Sequence, residues 1–180
     1  LAGVPGTVGG AVWGNAGAWG GAVADRVLEV RIVRAAEGVT EIPRARIPFR
    51  YRHAGLPAGA VVTRASFGLC PDDAGLIRRR ISGLLVQRSR TQPVASRSAG
   101  SIFRNPEGDF AGRLVEAAGL KGTRLGGAEI SARHANFILN RGGASAADIL
   151  GLIELARRRV LEHSGVPLEL EVQVVGVDAA

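Results

Sequence analysis

The sequence has no methionine, a single cysteine and few aromatic side chains, which make up 4% of its 180 residues. The lone cysteine, Cys70, excludes an intramolecular disulfide and favours a cytoplasmic protein. No apolar run approaches the roughly 18 residues that span a bilayer, and no signal-peptide pattern is present. We therefore expect a cytoplasmic protein with no membrane partner. Because methionine is missing even at position 1, we also expect a fragment that lacks its N-terminal part.

The charge is strongly basic, with 23 Lys and Arg against 16 Asp and Glu, a net charge of +7. Such a charge suits an anionic partner, either a nucleic acid or a phosphorylated small molecule. The scarcity of aromatic residues and the absence of RNP-like, zinc-finger and helix-turn-helix signatures argue against a nucleic acid. Apolar residues make up 46% of the chain, which is typical of a folded globular protein.

Two strands and a helix are predicted in the first half. Residues 27–34 (VLEVRIVR) and 61–69 (VVTRASFGL) alternate apolar and polar side chains, which indicates strands with one buried face. The prolines of residues 42–57 break any regular element between them. Asp72 or Asp73 can cap a helix. One stripe of that helix is apolar, with Ile77, Ile81, Leu84, Leu85 and the stem of Arg88.

The second half begins with a polar stretch without periodicity, residues 88–108, which we interpret as a linker and functional loop. Asp109 then caps a short helix that Gly119 ends, and residues 136–140 (NFILN) are predicted as a strand. The final strand is predicted at residues 168–177 (LELEVQVVGV).

A longer helix is predicted before that last strand. Ser145 and Asp148 stand in a capping-box spacing, and Gly165 is placed to end the helix. Its apolar stripe contains Ile149, Leu152, Ile153, Ala156 and Val160.

The glycine-rich segment GVPGTVGGAVWGNAG, residues 3–17, has too few side chains to form a core. The spacing of Gly6, Gly9 and Gly10 would let backbone N–H groups converge on an anion such as a pyrophosphate. The segment has neither the G-x-G-x-x-G pattern nor a Gly-Lys-Ser/Thr sequence. A flexible structural loop is the alternative.

Six stretches in the same order are similar to the UDP-N-acetylenolpyruvoylglucosamine reductase family. They are AGVPGTVGGAVWGNAGAWG, FRYRHAGLP, QPVASRSAGSIFRNP, LVEAAGLKGTRLGGAEISARHANFILN, ASAADILGLI and GVPLELEVQVVG. The short spacing between FRYR and SAGS resembles the subgroup without the extra tyrosine loop. Ala54 and Trp19 depart from the family pattern, which has serine and tyrosine there.

The resemblance implies a flavin-dependent reductase that makes UDP-N-acetylmuramate for peptidoglycan, with FAD and NADPH as cofactors. NADPH reduces FAD, and hydride then passes to the enolpyruvyl double bond of the substrate. The resemblance also implies an α+β fold: the remainder of a two-part FAD-binding domain, vanillyl-alcohol-oxidase-like, and a smaller α/β substrate-binding domain. We expect no metal and a monomer.

Three catalytic residues are implied by the family motifs: Arg52, the proton donor Ser101, and the carboxylate Glu171. The Arg52 guanidinium suits a carboxylate or enolate oxygen, and a hydroxyl in a dry site can protonate an enolate. Without the resemblance, these residues would be interpreted as an ion-pair arginine, a loop-capping serine and a solvated glutamate.

Further binding residues are implied by the resemblance. Those expected at the cofactor are Gly3, Pro5, Gly6, Thr7, Val8, Gly9, Gly10, Asn15 and Gly17. Those expected at the substrate are Tyr51, Arg104, Asn105, His134 and Asn136. A core histidine is the alternative for His134.

The expected domains are residues 1–88 for the remaining FAD lobe, 89–165 for the substrate lobe, and 166–180 for a strand returning to the active site. The missing N-terminal lobe would hold the rest of the FAD site. The alternatives are a truncated, inactive remnant and a basic nucleic-acid-binding module.

Overall fold

The computed structural model describes residues 2–176 and mixes helices with antiparallel sheets, which confirms the expected α+β class. The chain divides into two compact units, the first ending at Leu85 and the second beginning at Val86. The helices and strands of the described residues, in chain order, are α1 (Val8–Trp13), β1 (Gly17–Ala18), β2 (Gly21–Ala22), β3 (Val27–Arg34), β4 (Gly38–Pro43), β5 (Val61–Phe67), α2 (Ala74–Thr91), β6 (Ser98–Ser101), α3 (Ala111–Ala117), β7 (Arg124–Leu125), β8 (Ala128–Ile130), β9 (Phe137–Asn140) and α4 (Ala146–Ser164).

The first unit contains an antiparallel sheet in the order β4-β3-β5. The predicted strands β3 and β5 are confirmed, whereas β4 was not predicted. It forms a hairpin with β3, with Val33 opposite Val39, and the turn is closed by Gly38 at a φ of 73°. Most residues of β4 are exposed, so its sequence lacks the alternation of apolar and polar side chains that indicates a half-buried strand.

The core of the first unit lies between this sheet and the segments around it. Its buried residues are Val12, Val23, Val27, Val30, Ile32, Ile47 and Ala54. Most are β-branched, which suits a pleated surface that is covered on one face.

The glycine-rich segment is not wholly a loop, because residues 8–13 form the short helix α1. Thr7 is its N-cap, and the Thr7 Oγ1 accepts a hydrogen bond from the N–H of Gly10 at 3.0 Å. Gly9 faces β5: a Cβ on Gly9 would lie 3.4 Å from the carbonyl oxygen of Val62. Cap and close packing together offset the poor helix propensity of glycine.

Helix α2 begins where it was predicted, since Asp73 Oδ1 accepts the N–H of Leu76 at 2.8 Å. Its predicted apolar stripe, however, is not buried within the described part of the chain. Ile77, Ile81 and Leu85 are between 37% and 43% exposed. An amphipathic pattern identifies an apolar face but not whether a partner covers it.

The second unit contains an antiparallel sheet in the order β6-β9-β8-β7. The predicted strand β9 and helices α3 and α4 are confirmed, whereas β8 was not predicted. The helix α4 has the predicted capping box between Ser145 and Asp148, and Gly165 follows it at a φ of 71°. The buried residues of this core are Ile102, Phe103, Ala111, Leu114, Val115, Leu120, Ala128, Ile130, Ala135, Ile138, Leu152, Ile153, Ala156, Val160 and Leu168.

The strand predicted at residues 168–177 is not formed in the described residues, apart from an isolated bridge between Leu170 and Phe103. The carbonyl of Ile102 accepts from two successive N–H groups, those of Glu171 at 2.8 Å and Val172 at 3.4 Å. This double contact interrupts the ladder as a bulge does. Residue 177 lies outside the described residues.

Candidate active site

The predicted cofactor residues at the start of the chain surround the N-terminus of α1. Gly3 and Gly6 have φ values of 76° and 125°, a backbone region that side chains disfavour. Among the described residues other than its chain neighbours, nothing lies within 4 Å of the position that a Cβ on Gly6 would take. Helix geometry leaves the first N–H groups of α1 without carbonyl partners in their own helix. The segment therefore offers an uncrowded backbone surface with hydrogen-bond donors.

Gly17 lies beside the predicted catalytic residue Arg52. A Cβ on Gly17 would lie 3.3 Å from the Arg52 Nη1 and 3.1 Å from the carbonyl oxygen of Gly21. A larger residue at position 17 would therefore crowd both the guanidinium and the β1–β2 pair. The structure thus places a predicted cofactor residue and a predicted catalytic residue together within the first unit.

Arg52 lies at the tip of a tight turn between Arg50 and His53. The Arg50 N–H donates to the His53 carbonyl at 2.8 Å, and the His53 N–H donates to the Arg50 carbonyl at 3.1 Å. Arg52 itself has a φ of 55°, and its guanidinium carbon lies 5.0 Å from the centroid of the Tyr51 ring. A left-handed arginine is a costly conformation that clusters at functional sites.

Asn15 ties this turn to the glycine-rich segment. The residue is 8% exposed, its Nδ2 donates to the Arg50 carbonyl at 3.0 Å, and its Oδ1 accepts the N–H of Ala24 at 3.0 Å. The carboxamide predicted to contact the cofactor is therefore turned toward the protein backbone.

Ser101, the predicted proton donor, ends β6 and lies opposite Phe137 on β9. The β6–β9 register shifts between Ser98 and Ser101, and Gly100 has a φ of 87° within that irregularity. Ser101 is half-buried, whereas Ser98 is exposed. Such irregularities redirect side chains and are frequent beside active sites.

Glu171 is brought close to Ser101 through the backbone. The Glu171 N–H donates to the carbonyl of Ile102, the residue after Ser101, at 2.8 Å. The Arg104 N–H donates to the carbonyl of Glu169 at 2.9 Å. Residues 102–104 are therefore bonded to the segment that carries Glu171, and Glu171 is itself half-buried.

Among the predicted substrate residues, Arg104 is the last residue of the stretch 102–104 and Asn105 follows it. Both are exposed. An Arg104 guanidinium nitrogen lies 3.7 Å from a Glu169 carboxylate oxygen, a weak surface pair. The Asn105 Oδ1 accepts the N–H of Ala111, the first residue of α3, at 3.1 Å. This contact supports the start of α3, for which Asp109 was predicted as the cap. Asp109 instead bonds to the N–H of Phe110 and to Arg113.

His134 is half-buried, and its ring lies edge-on to Phe137 with centroids 5.0 Å apart. Its Nδ1 accepts the N–H of Asn136 at 3.3 Å, so Nε2 carries the proton in the neutral ring. Burial lowers the pKa of His134, and the positive charge of Lys121 lowers it further. His134 is therefore a neutral hydrogen-bond donor at neutral pH.

Two residues of this region were not singled out from the sequence. Gly112 lies in α3 against His134, and a Cβ there would lie 3.0 Å from the His134 Cε1. Its signal in the sequence is a glycine inside a helical pattern.

Glu129, the second such residue, lies on β8 with its side chain 5% exposed. Its carboxylate lies 2.6 Å from an Arg124 nitrogen and 2.7 Å from an Arg141 nitrogen. Hydrogen bonding from Arg141, followed by Arg124, holds the pKa of Glu129 below its usual range although burial opposes this. Its only sequence signal is one acid between apolar residues.

The predicted residues thus divide between the two units. Tyr51, Arg52 and the glycine-rich segment belong to the first, and the remaining substrate residues, Ser101 and Glu171 belong to the second. The three catalytic residues implied by the family motifs are therefore contributed by both units.

Within residues 2–176, none of the helices has the length and apolar character of a membrane span, and no group of three or more His, Cys, Asp or Glu side chains is arranged to hold a metal ion.

Comparison with known proteins gives consistent matches. The family model described as "UDP-N-acetylenolpyruvoylglucosamine reductase, C-terminal domain" matches residues 92–175. The chain is 50% identical to the reductase of that name from Myxococcus xanthus, over 98% of this chain and 56% of the relative. It is 52% identical to the one from Alkalilimnicola ehrlichii, over 98% of this chain and 59% of the relative.

A solved structure gives the same result. The crystal structure of UDP-N-acetylenolpyruvylglucosamine reductase (MurB) from Thermus caldophilus matches with a TM-score of 0.82 at 41% identity. The match covers 94% of this chain and 60% of that one. The chain therefore spans somewhat more than half the length of the proteins that it resembles.

Proposed function

The chain belongs to the UDP-N-acetylenolpyruvoylglucosamine reductase family, and on this premise we propose that it forms part of an NADPH- and FAD-dependent oxidoreductase. The enzyme converts UDP-N-acetylenolpyruvoylglucosamine to UDP-N-acetylmuramate in peptidoglycan synthesis. The observation that carries the proposal is the backbone bonding of residues 102–104, which holds the half-buried Ser101 and Glu171 on neighbouring segments.

The glycine-rich segment fits the diphosphate of FAD. Gly6 leaves open space where a side chain would stand, and the first turn of α1 presents backbone N–H groups beside it. The residues in this role are Gly3, Pro5, Gly6, Thr7, Val8, Gly9, Gly10 and Gly17, and Asn15 supports them through the turn at Arg50. When bound, FAD would take hydride from NADPH and supply it to the methylene carbon of the substrate.

Side chains of this chain then stabilise the negative charge that develops on the substrate and donate a proton to it. Hydride addition to the methylene carbon breaks the C=C π bond, and its electron pair moves toward the carboxylate as an enolate. The Arg52 guanidinium is suited to hold that oxyanion. The Ser101 hydroxyl gives its proton to the carbon that carries the ether oxygen, which completes the reduction. The Glu171 carboxylate is the third catalytic group.

The UDP-sugar is held by the second unit in this proposal. His134, as a neutral Nε2–H donor, and the exposed side chains of Arg104 and Asn105 offer hydrogen bonds to sugar and diphosphate oxygens. Tyr51 offers an exposed ring beside Arg52. We place the enzyme in the cytoplasm and propose that it is a monomer. Light scattering on the purified complete protein tests the monomeric state.

The alternatives are less favoured. A nucleic-acid-binding module has only the charge of +7 in its support. Flavin absorbance in the purified complete protein supports the reductase, whereas salt-sensitive DNA binding without flavin supports that module. A flavin-loaded protein that does not turn over would support an inactive remnant.

Stopped-flow absorbance on the Ser101→Ala variant of the complete protein tests the mechanism. Reduction of the flavin by NADPH should proceed at near wild-type rate, because that step needs no proton donor to the substrate. Reoxidation by the enolpyruvyl substrate should slow by roughly 10² to 10⁴, the range for a general acid. Ser101→Cys should recover part of the loss, and Ser98→Ala, an exposed serine on the same strand, is the matched control. Equal slowing of both phases would refute the proton-donor role.

A further inference from the structure

The side chain of Asn136 is nearly enclosed, with 3% of the residue exposed. Its Oδ1 accepts the N–H of Phe103 at 2.9 Å, and its Nδ2 donates to the carbonyl of Phe103 at 2.8 Å. The Asn136 backbone carbonyl also accepts the N–H of Ile102 at 2.9 Å. Asn136 thus satisfies three backbone polar groups of the segment after Ser101: the N–H of Ile102 and both the N–H and the carbonyl of Phe103.

This contact lies where the regular sheet has ended. β9 begins at Phe137, opposite Ser101, so Asn136 is the residue just before the strand. The carboxamide takes the place of a backbone peptide and continues the hydrogen bonding to Phe103. The opposite side of the same segment bonds to Glu169 and Glu171. Residues 102–104 are therefore held on both sides.

We propose that Asn136 is a positioning residue, which fixes the distance between Ser101 and Glu171 by clamping Phe103. The inference rests on the proposed function for its catalytic consequence, and it replaces the substrate contact expected for Asn136 from the family resemblance. A buried amide that is engaged with the backbone is poorly placed to reach a substrate. It is well placed to hold the peptide that joins two catalytic segments.

Physical reasoning gives the direction of the effect. Without the amide, the Phe103 N–H and carbonyl would be buried without these partners, and the segment would shift to regain hydrogen bonds. A displacement of about 1 Å at a catalytic group can cost about 10²-fold in rate. Of the proposed substrate-binding residues, Tyr51 and His134 lie outside residues 102–104, whereas Arg104 belongs to that segment and Asn105 adjoins it. The loss should therefore fall more on the rate than on substrate affinity.

The test compares Asn136→Ala with Asn140→Ala in the flavin-loaded complete protein. Asn140 lies at the other end of β9, and its side chain also makes two hydrogen bonds to the backbone, its Oδ1 accepting the N–H groups of Gly142 at 2.9 Å and Ala144 at 3.3 Å. Both variants should lose comparable stability. Only Asn136→Ala should slow flavin reoxidation by the UDP-enolpyruvyl substrate, by roughly 10- to 100-fold, with KM and the NADPH phase within about twofold of wild type.

Hydrogen exchange supplies a readout that does not depend on activity. The amide of Phe103 should exchange at least about tenfold faster in Asn136→Ala than in wild type, and at an unchanged rate in Asn140→Ala. If Asn136→Ala does not fold, Asn136→Asp keeps the volume and the acceptor for the Phe103 N–H and removes only the donor. The second carboxylate oxygen then faces the Phe103 carbonyl without a proton to share, so this variant should also slow the same phase.

The outcomes separate the two proposals. Failure of the wild-type flavin to be reoxidised by the UDP-enolpyruvyl substrate overturns the proposed function. An active wild type with equally active Asn136 variants overturns the positioning role alone. A higher KM at unchanged kcat would restore the substrate contact, and unchanged exchange at Phe103 would refute the clamp whatever the activity.

Discussion

Replacing Asn15 tests how the turn that carries Arg52 is held. Asn15 has a φ of 41°, in the left-handed region that asparagine tolerates better than most residues. Its carboxamide makes two hydrogen bonds of 3.0 Å, to the Arg50 carbonyl and from the Ala24 N–H. Substitution by alanine removes both bonds and keeps a Cβ in a backbone region that alanine tolerates less well than asparagine. Substitution by glycine removes the same bonds without the conformational cost.

The expected magnitudes follow from these contacts. Each neutral hydrogen bond contributes about 1 kcal/mol, and the left-handed conformation costs alanine about 1 kcal/mol more than glycine. Asn15→Ala should therefore lower the free energy of unfolding by about 3 kcal/mol and Asn15→Gly by about 2 kcal/mol. The additional penalty in alanine should be independent of any ligand, since it resides in the backbone.

Urea unfolding of the purified protein followed by circular dichroism measures both values, provided that the slope m is unchanged. In the flavin-loaded complete protein, both variants should also slow substrate-driven reoxidation, because the turn bearing Arg52 loses its anchor at Arg50. Equal stability of the alanine and glycine variants would refute the argument from φ. Losses below about 0.5 kcal/mol in both would show that the two hydrogen bonds contribute little.

The remaining predictions concern a buried charge and a close packing contact. Glu129→Gln should lower the free energy of unfolding at pH 7 by about 1–2 kcal/mol. This loss is smaller than for a fully buried ion pair, because both arginine side chains can be hydrated in the variant. Since the folded pKa of Glu129 is lowered, its contribution is present above the unfolded value of 4.5 and is lost as pH falls through the folded pKa. The wild-type advantage in urea titrations should thus shrink below about pH 4.5, and a pH-independent difference would contradict this. Gly9→Ala should fold normally, whereas Gly9→Val should cost about 1–3 kcal/mol by overpacking Val62 and should release FAD from the complete protein; full flavin retention by Gly9→Val would show that Gly9 has only a structural role.

Features with local signals were predictable from the sequence. The strands β3 and β5 follow from alternating side chains, and α4 follows from its apolar stripe, the Ser145–Asp148 capping box and Gly165. Each of these signals acts within one element, so the chain itself contains the information. The ordered motifs likewise indicate the family, because each motif lies within a short stretch of sequence.

Hydrogen bonds between residues far apart in the sequence were not predictable. Asn15 and Asn136 were expected to contact ligands, but their amides bond to backbone groups 35 and 33 residues away, at Arg50 and Phe103. The exposed strand β4 and the exposed stripe of α2 likewise depend on which neighbours are present. A sequence states which groups can form hydrogen bonds or be buried. Only the tertiary structure decides which partner each group receives, because burial and long-range pairing are fixed by packing across the whole unit.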